Sequence, residues 1–207
     1  MALADTRFSD RRRKLAAELA GQRIDAVLVT HLIHVRYLSG FSGSNGGLLL
    51  RKDLSALMAT DGRYTTQIAQ EVPDLEAVEG RAVGKVLLQQ FDDAQSPVRV
   101  GFEADYMSVS ELEDLKDSAP DGVTLVPISG IIEDIRITKD PVELEKLEEI
   151  AAIANQALED LLAAGSLRAG RTEREVAADL EFRMRILGSE RVSFDTIVAS
   201  GPNSAMP

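Results

Sequence analysis

The sequence predicts an α/β fold, a mixed sheet with helices on both faces, followed from Ile131 by a second part of different texture. Three observations carry this. Short β-branched apolar runs alternate with helix-period stretches as far as about residue 130. Turn and helix-start signals fall between those runs. A hydrophobic share of 44% beside 28% charged residues suits a globular chain, and 207 residues suffice for one large domain or two small ones.

The elements follow in order. Ser9 or Asp10 is positioned to cap a first helix through Leu15 and Leu19, with the basic run Arg11 to Lys14 on its solvated face. Asp25 to Thr30 (DAVLVT) reads as a first, buried strand. Val35 to Leu38 and Gly47 to Leu50 read as two further strands, joined by GFSGSNG with Asn45-Gly46 as a hairpin turn. Ser55 to Thr60 is a fourth strand. Asp61-Gly62 breaks it, and a helix then runs to about Glu71 before Pro73. A weaker strand spans Leu75 to Val78, a helix Ala82 to Phe91, and a strand Val98 to Phe102. The box Ser108-x-x-Glu111 opens another helix, and a strand around Thr124 to Val126 closes the first part, residues 1–130.

In residues 131–207, Asp140-Pro141-Val142-Glu143 supplies an N-cap, a proline at the first helical position and the reciprocal glutamate. Leu144, Leu147, Ala151, Ala154, Leu158 and Leu161 then recur at helical spacing for about six turns. Thr172-x-x-Glu175 opens a second helix that should end at Gly188. Phe194 to Ala199 reads as a strand. Two amphipathic helices and one strand do not bury themselves alone, so this part reads as the truncated start of a second domain, with a further strand expected after Met206-Pro207. Its apolar faces predict self-association or loss of order.

Composition removes whole classes of function. With 23 Lys and Arg against 34 Asp and Glu, the net charge of −11 repels phosphate backbones and anionic lipid, so no nucleic-acid and no membrane partner is expected. No apolar run approaches the roughly 20 residues that span a bilayer. The absence of cysteine excludes disulfides, thiolate metal sites and a cysteine nucleophile. The amino end lacks a secretory signal, and Asp5 and Asp10 speak against a transit peptide, so a cytoplasmic location is expected.

No motif in the residues themselves names a reaction. His31 and His34 form an H-x-x-H pair between two expected strands, without the third and fourth ligands of a metal site, and read as loop or partly buried structural histidines. Gly40 to Gly47 lacks the Gly-Lys-Ser/Thr ending of a phosphate loop and the Gly-x-Ser-x-Gly of a nucleophile elbow. It reads as a hairpin loop that permits close backbone approach. Glu143, Glu145, Glu148 and Glu149 fall mostly on the wet face of their helix.

Several longer segments carry a resemblance. GQRIDAVLVT (21–30), VRYLSGFSGSNG (35–46), TDGRY (60–64), Glu71-Val72-Pro73 and VGFEAD (100–105) resemble the amino-terminal domain of the Xaa-Pro peptidases, meaning aminopeptidase P and prolidase, relatives of creatinase. RITKDP (136–141), GRTERE (170–175) and SFDTIVASGPNSAMP (193–207) resemble the beginning of that family's α+β pita-bread catalytic domain. The resemblance implies hydrolysis of the bond preceding proline by a pair of divalent metals, manganese, cobalt or zinc, whose bridging water attacks as hydroxide. It places the five ligands, two aspartates, a histidine and two glutamates, after SGPNSAMP, together with a further histidine directly after Pro207. This chain is therefore expected to hold no catalytic residue and no metal, and to be inactive alone. The resemblance also implies a homodimer, a proline-containing peptide substrate, and Tyr37, Phe41, Arg63 and Tyr64 as substrate-rim residues. Two alternatives stand beside it. One is a non-catalytic pita-bread-related binding or scaffold module, whose charge would suit a basic partner, and the other is a creatinase.

Overall fold

The computed structural model of the chain describes residues 6–91 and 96–206. Asp5 and Pro207, used in the sequence reading, lie outside them. The chain divides into two compact units, residues 1–138 and 139–207.

The first unit is a six-stranded mixed sheet. Its strands are β1 (Ala26–Val29), β2 (Gly46–Arg51), β3 (Ala56–Thr60), β4 (Glu76–Glu79), β5 (Val98–Glu103) and β6 (Val123–Ile128), in the order β4-β3-β2-β1-β5-β6. β1 runs antiparallel to β2 and parallel to β5, and β2 and β3 form the hairpin. The central position of β1 explains why all four of its residues are apolar and buried. Successive side chains alternate between faces. Val27, Val29, Leu48 and Leu50 meet α1 (Arg7–Ala20), α2 (Leu32–Ser39), α3 (Thr65–Glu71) and α6 (Ile131–Ile137) through Leu15, Leu38, Ile68 and Ile132. Ala26, Leu28, Leu49 and Val100 meet α4 (Val83–Leu88) and α5 (Val109–Ser118) through Leu87, Leu88 and Leu115. The sheet is thus covered on both faces, as the alternation predicts.

Three expectations in this unit are corrected. Val35 to Leu38 is not a strand but the body of α2. Four apolar residues fit either period, and here the helix is closed by Gly40, whose φ of +87° lets its N–H donate to the Arg36 carbonyl at 2.8 Å. Asn45-Gly46 is accordingly no hairpin turn, because its loop joins α2 to β2. The hairpin turns instead at Lys52 to Ser55, where Leu54 takes φ +72° and the Asp53 carboxylate accepts the Ser55 N–H at 2.9 Å. Finally, α1 starts at Arg7 after Thr6, and half of its basic run is buried. Arg11 and Arg12 donate to the carbonyls of Tyr37 and Leu38, each at 2.9 Å, and Arg12 also pairs with Asp74. Cations at the end of α2 answer the carbonyls of its last turn and its dipole, which a reading confined to one helix does not reveal.

The second unit holds α7 (Pro141–Ala163) and α8 (Glu173–Ile186), opened by the two predicted capping boxes. Each ends on a left-handed glycine, Gly165 or Gly188, and the paired bonds Ser166 N–H to Leu161 O and Ser189 N–H to Met184 O complete the termination. The two helices bury Ala157, Leu161 and Val176. Residues 194–199 form no strand, against expectation. β-branched residues favour extension, but extension becomes a strand only when a neighbour takes its hydrogen bonds, and none of the described residues does so.

Candidate functional site

The loop from Gly40 to Gly46 gathers most of the residues singled out in the sequence. Phe41, only 1% exposed, inserts beneath the loop, and a Cβ on Gly43 would lie 2.3 Å from its ring. Glycine here is a packing requirement. Tyr64 stands edge-on to Phe41 with centroids 5.7 Å apart, and its hydroxyl meets that of Ser44 at 2.6 Å. That bond lowers the Tyr64 phenol from its ordinary range. Arg63 grips Asp61 with two bonds of 2.8 Å, while Asn45 donates to the same carboxylate at 2.8 Å. Arg63 first, then Asn45, holds the Asp61 carboxyl far below the usual range. Glu71 secures the loop's near side by accepting the Ser42 N–H and hydroxyl, both at 2.7 Å.

Phe41, Arg63 and Tyr64 therefore sit together, and Tyr37 does not join them. It lies on α2 under the Arg11 guanidinium, 4.1 Å from ring centroid to carbon, and is 8% exposed. Phe41 and Tyr37 are too buried in this unit to offer a ligand more than an edge. Arg63 and Tyr64 remain accessible.

On the other side of the loop, Ser44, Asn45 and Gly46 line a groove of about 870 Å³ together with His31, Arg81 and Tyr106. It opens where β1 and β5 end, a position where parallel strands commonly present a crevice. Both histidines belong to this region; the sequence reading of them as loop or partly buried structural histidines holds for their structural character but missed the helix that carries them. His31 is the N-cap of α2 and stacks on Tyr106 at 3.8 Å. Burial, then the neighbouring His34, lowers its proton affinity. His34 is wholly buried within α2. Its Nδ1 lies 2.5 Å from Glu103 Oε1, and Glu103 Oε2 accepts the N–H groups of Thr30 and His31 at 2.9 and 3.0 Å. Glu103 is the important residue the sequence reading missed. Its only signal was an acid at the end of a buried strand, inside VGFEAD. One buried carboxylate thus sets the turn from β1 into α2 and orients a structural imidazole.

Among the described residues, no group of three or more His, Asp or Glu side chains is arranged to hold a metal ion. The divalent pair implied by the resemblance thus finds no fitting ligand set here. In the second unit, Asp179 bridges Arg171 and Arg183, both at 2.9 Å. Arg171 first, then Ser166 and Arg183, brings its carboxyl down to about 2. Glu143 serves the cap of α7, and Lys146 pairs with Glu149.

Comparison with known proteins agrees with this division. Residues 11–138 match the creatinase/prolidase N-terminal domain, and residues 145–207 match metallopeptidase family M24. The uncharacterised peptidase YqhT of Bacillus subtilis is 36% identical over 187 residues, 89% of this chain and 51% of that protein. The crystal structure of the N-terminal domain of the cytoplasmic peptidase PepQ from Mycobacterium tuberculosis is 44% identical, with a TM-score of 0.58 over 61% of this chain and 98% of that one. The Xaa-Pro dipeptidase from Bacillus anthracis is 33% identical, with a TM-score of 0.87 over 97% of this chain and 55% of that one. The chain spans about half the length of the curated relatives it matches.

Proposed function

Because the chain belongs to the creatinase/prolidase N-terminal domain family and continues into the start of an M24 metallopeptidase domain, we propose that it is part of a metal-dependent Xaa-Pro peptidase. The observation that carries this is the likeness to the Xaa-Pro dipeptidase of Bacillus anthracis over 97% of the chain. The substrate class is a peptide with proline after the scissile bond. Residues 1–207 contribute no metal ligand in this reading, and manganese, cobalt or zinc is bound by the ligand series that the resemblance places after SGPNSAMP. The chain alone is inactive.

The first unit serves a homodimer and the rim of an active site. Within it, Arg63 and Tyr64 are better suited to meet a substrate than Phe41, which is buried behind Tyr64, and Tyr37, which is buried apart from them under Arg11. A cytoplasmic location belongs to the same proposal.

The test is hydrolysis of an Xaa-Pro dipeptide and an Xaa-Pro-Yaa tripeptide in manganese, comparing residues 1–207 with the full-length gene product. Activity only in the longer protein is expected. Cleavage by residues 1–207 would defeat the assignment of catalysis to the rest of the protein, and silence in both would favour the scaffold alternative.

A further inference from the structure

Two segments thirty residues apart meet at one carboxylate. Thr172 and Glu175 satisfy the start of α8 between themselves, so the Glu173 side chain is not needed by its own helix. Arg171 is engaged by Asp179, and no ion pair to a basic side chain engages Glu173 among the described residues. Glu173 turns instead to the segment 194–206. Its Oε1 accepts the Ser200 N–H at 2.6 Å and Asn203 Nδ2 at 3.0 Å, and its Oε2 accepts Asn203 Nδ2 at 2.9 Å.

The segment needs such an acceptor. Residues 194–199 have no strand partner, so the Ser200 N–H has no ladder carbonyl available. After Ser200 the chain makes a short 3-10 turn, Gly201–Ala205, entered through Gly201 at φ +54° and bounded by the bonds Asn203 N–H to Ser200 O at 3.2 Å and Met206 N–H to Asn203 O at 3.1 Å. Bonds to an ionised carboxylate are stronger than these neutral ones. They reach both the residue that enters the turn and the residue at its centre, which fixes position and direction together.

We propose that Glu173 is a positioning residue, locking the Gly201–Ala205 turn onto α8 so that the peptidase portion presents this turn in a single orientation. The catalytic consequence rests on the peptidase reading above, whereas the lock itself does not.

The two parts are tested separately. In residues 1–207, Glu173→Ala should speed amide exchange at Ser200 by roughly fivefold to tenfold while α8 keeps its helical signal, since the capping box is untouched. Glu173→Gln keeps an oxygen for the Ser200 N–H but loses the charge and the second acceptor facing Asn203, and should speed exchange less than Glu173→Ala. Combining Glu173→Gln with Asn203→Asp restores one donor facing one acceptor, and should recover protection at Ser200. Unchanged exchange in Glu173→Ala, or no recovery in the double variant, overturns the lock. In the full-length gene product, Glu173→Ala should lower kcat roughly tenfold or more with KM within about twofold. An unchanged kcat overturns the positioning role. A wild-type protein that cleaves no Xaa-Pro bond overturns the peptidase reading and the positioning role with it, while the exchange data still decide the lock.

Discussion

The first unit closes a core on each face of its sheet, whereas the second leaves Leu144, Leu147, Ile150, Phe182, Ile186, Phe194 and Ile197 at 43% exposure or more. Yet both long helices of the second unit carry a complete capping box and a glycine termination. α1 and α2, by contrast, have no side-chain bond at their N-caps. Caps and periodicity decide where a helix begins and ends, but burial decides whether it is held. The first unit obtains from tertiary contacts what its helix ends lack, as Arg11 and Arg12 show at the end of α2.

The contrast is sharpest in substitutions that remove apolar volume. Leu28→Ala, in the central strand, should destabilise the first unit by about 3 kcal/mol, whereas Phe194→Ala in the second should stay within about 0.5 kcal/mol. Urea unfolding followed by far-UV and near-UV signals would show it, and comparable losses at both positions would erase the distinction. An intermediate effect is expected at a cap. Thr172→Ala should reduce the stability of α8 by about 1 kcal/mol, because the Glu175 N–H loses its acceptor. If α8 were instead held by packing, its helical signal would survive unchanged.

The smallest effect concerns pH. The Asp179 carboxyl is depressed from 3.8 to about 2 by Arg171, Ser166 and Arg183. A depressed carboxyl stabilises the folded form above its unfolded value, and that contribution disappears as pH falls through the folded one. Helicity of the second unit should therefore fall between about pH 4 and 2 more steeply in the wild type than in Asp179→Asn. Equal slopes would show that this partly exposed bridge contributes nothing.

Much of the candidate site was legible in part. Phe41, Arg63 and Tyr64, named through the resemblance, come together in the fold, where the Phe41 loop meets the Asp61–Tyr64 turn from a separate segment. Tyr37 was separated from them by a wrong period, since a residue assigned to a strand in fact sits on a helix and faces Arg11. The Glu103 to His34 bond joins residues 69 apart, and no local pattern announces such a pairing.

By itself, the sequence determined the α/β class, the capping boxes and the family, because each depends on near-neighbour chemistry or on the wording of contiguous segments. Tertiary structure alone decided that Val35 to Leu38 coils, that Arg11 and Arg12 are buried, that residues 194–199 do not pair, and that Glu103 and Glu173 each gather distant backbone donors. One physical reason covers the helix, the arginines and the two glutamates, and residues 194–199 show its converse, a segment to which the described residues offer no strand partner. A short segment with two acceptable conformations, or a polar group with no partner of its own, takes the state in which the rest of the fold satisfies its hydrogen bonds.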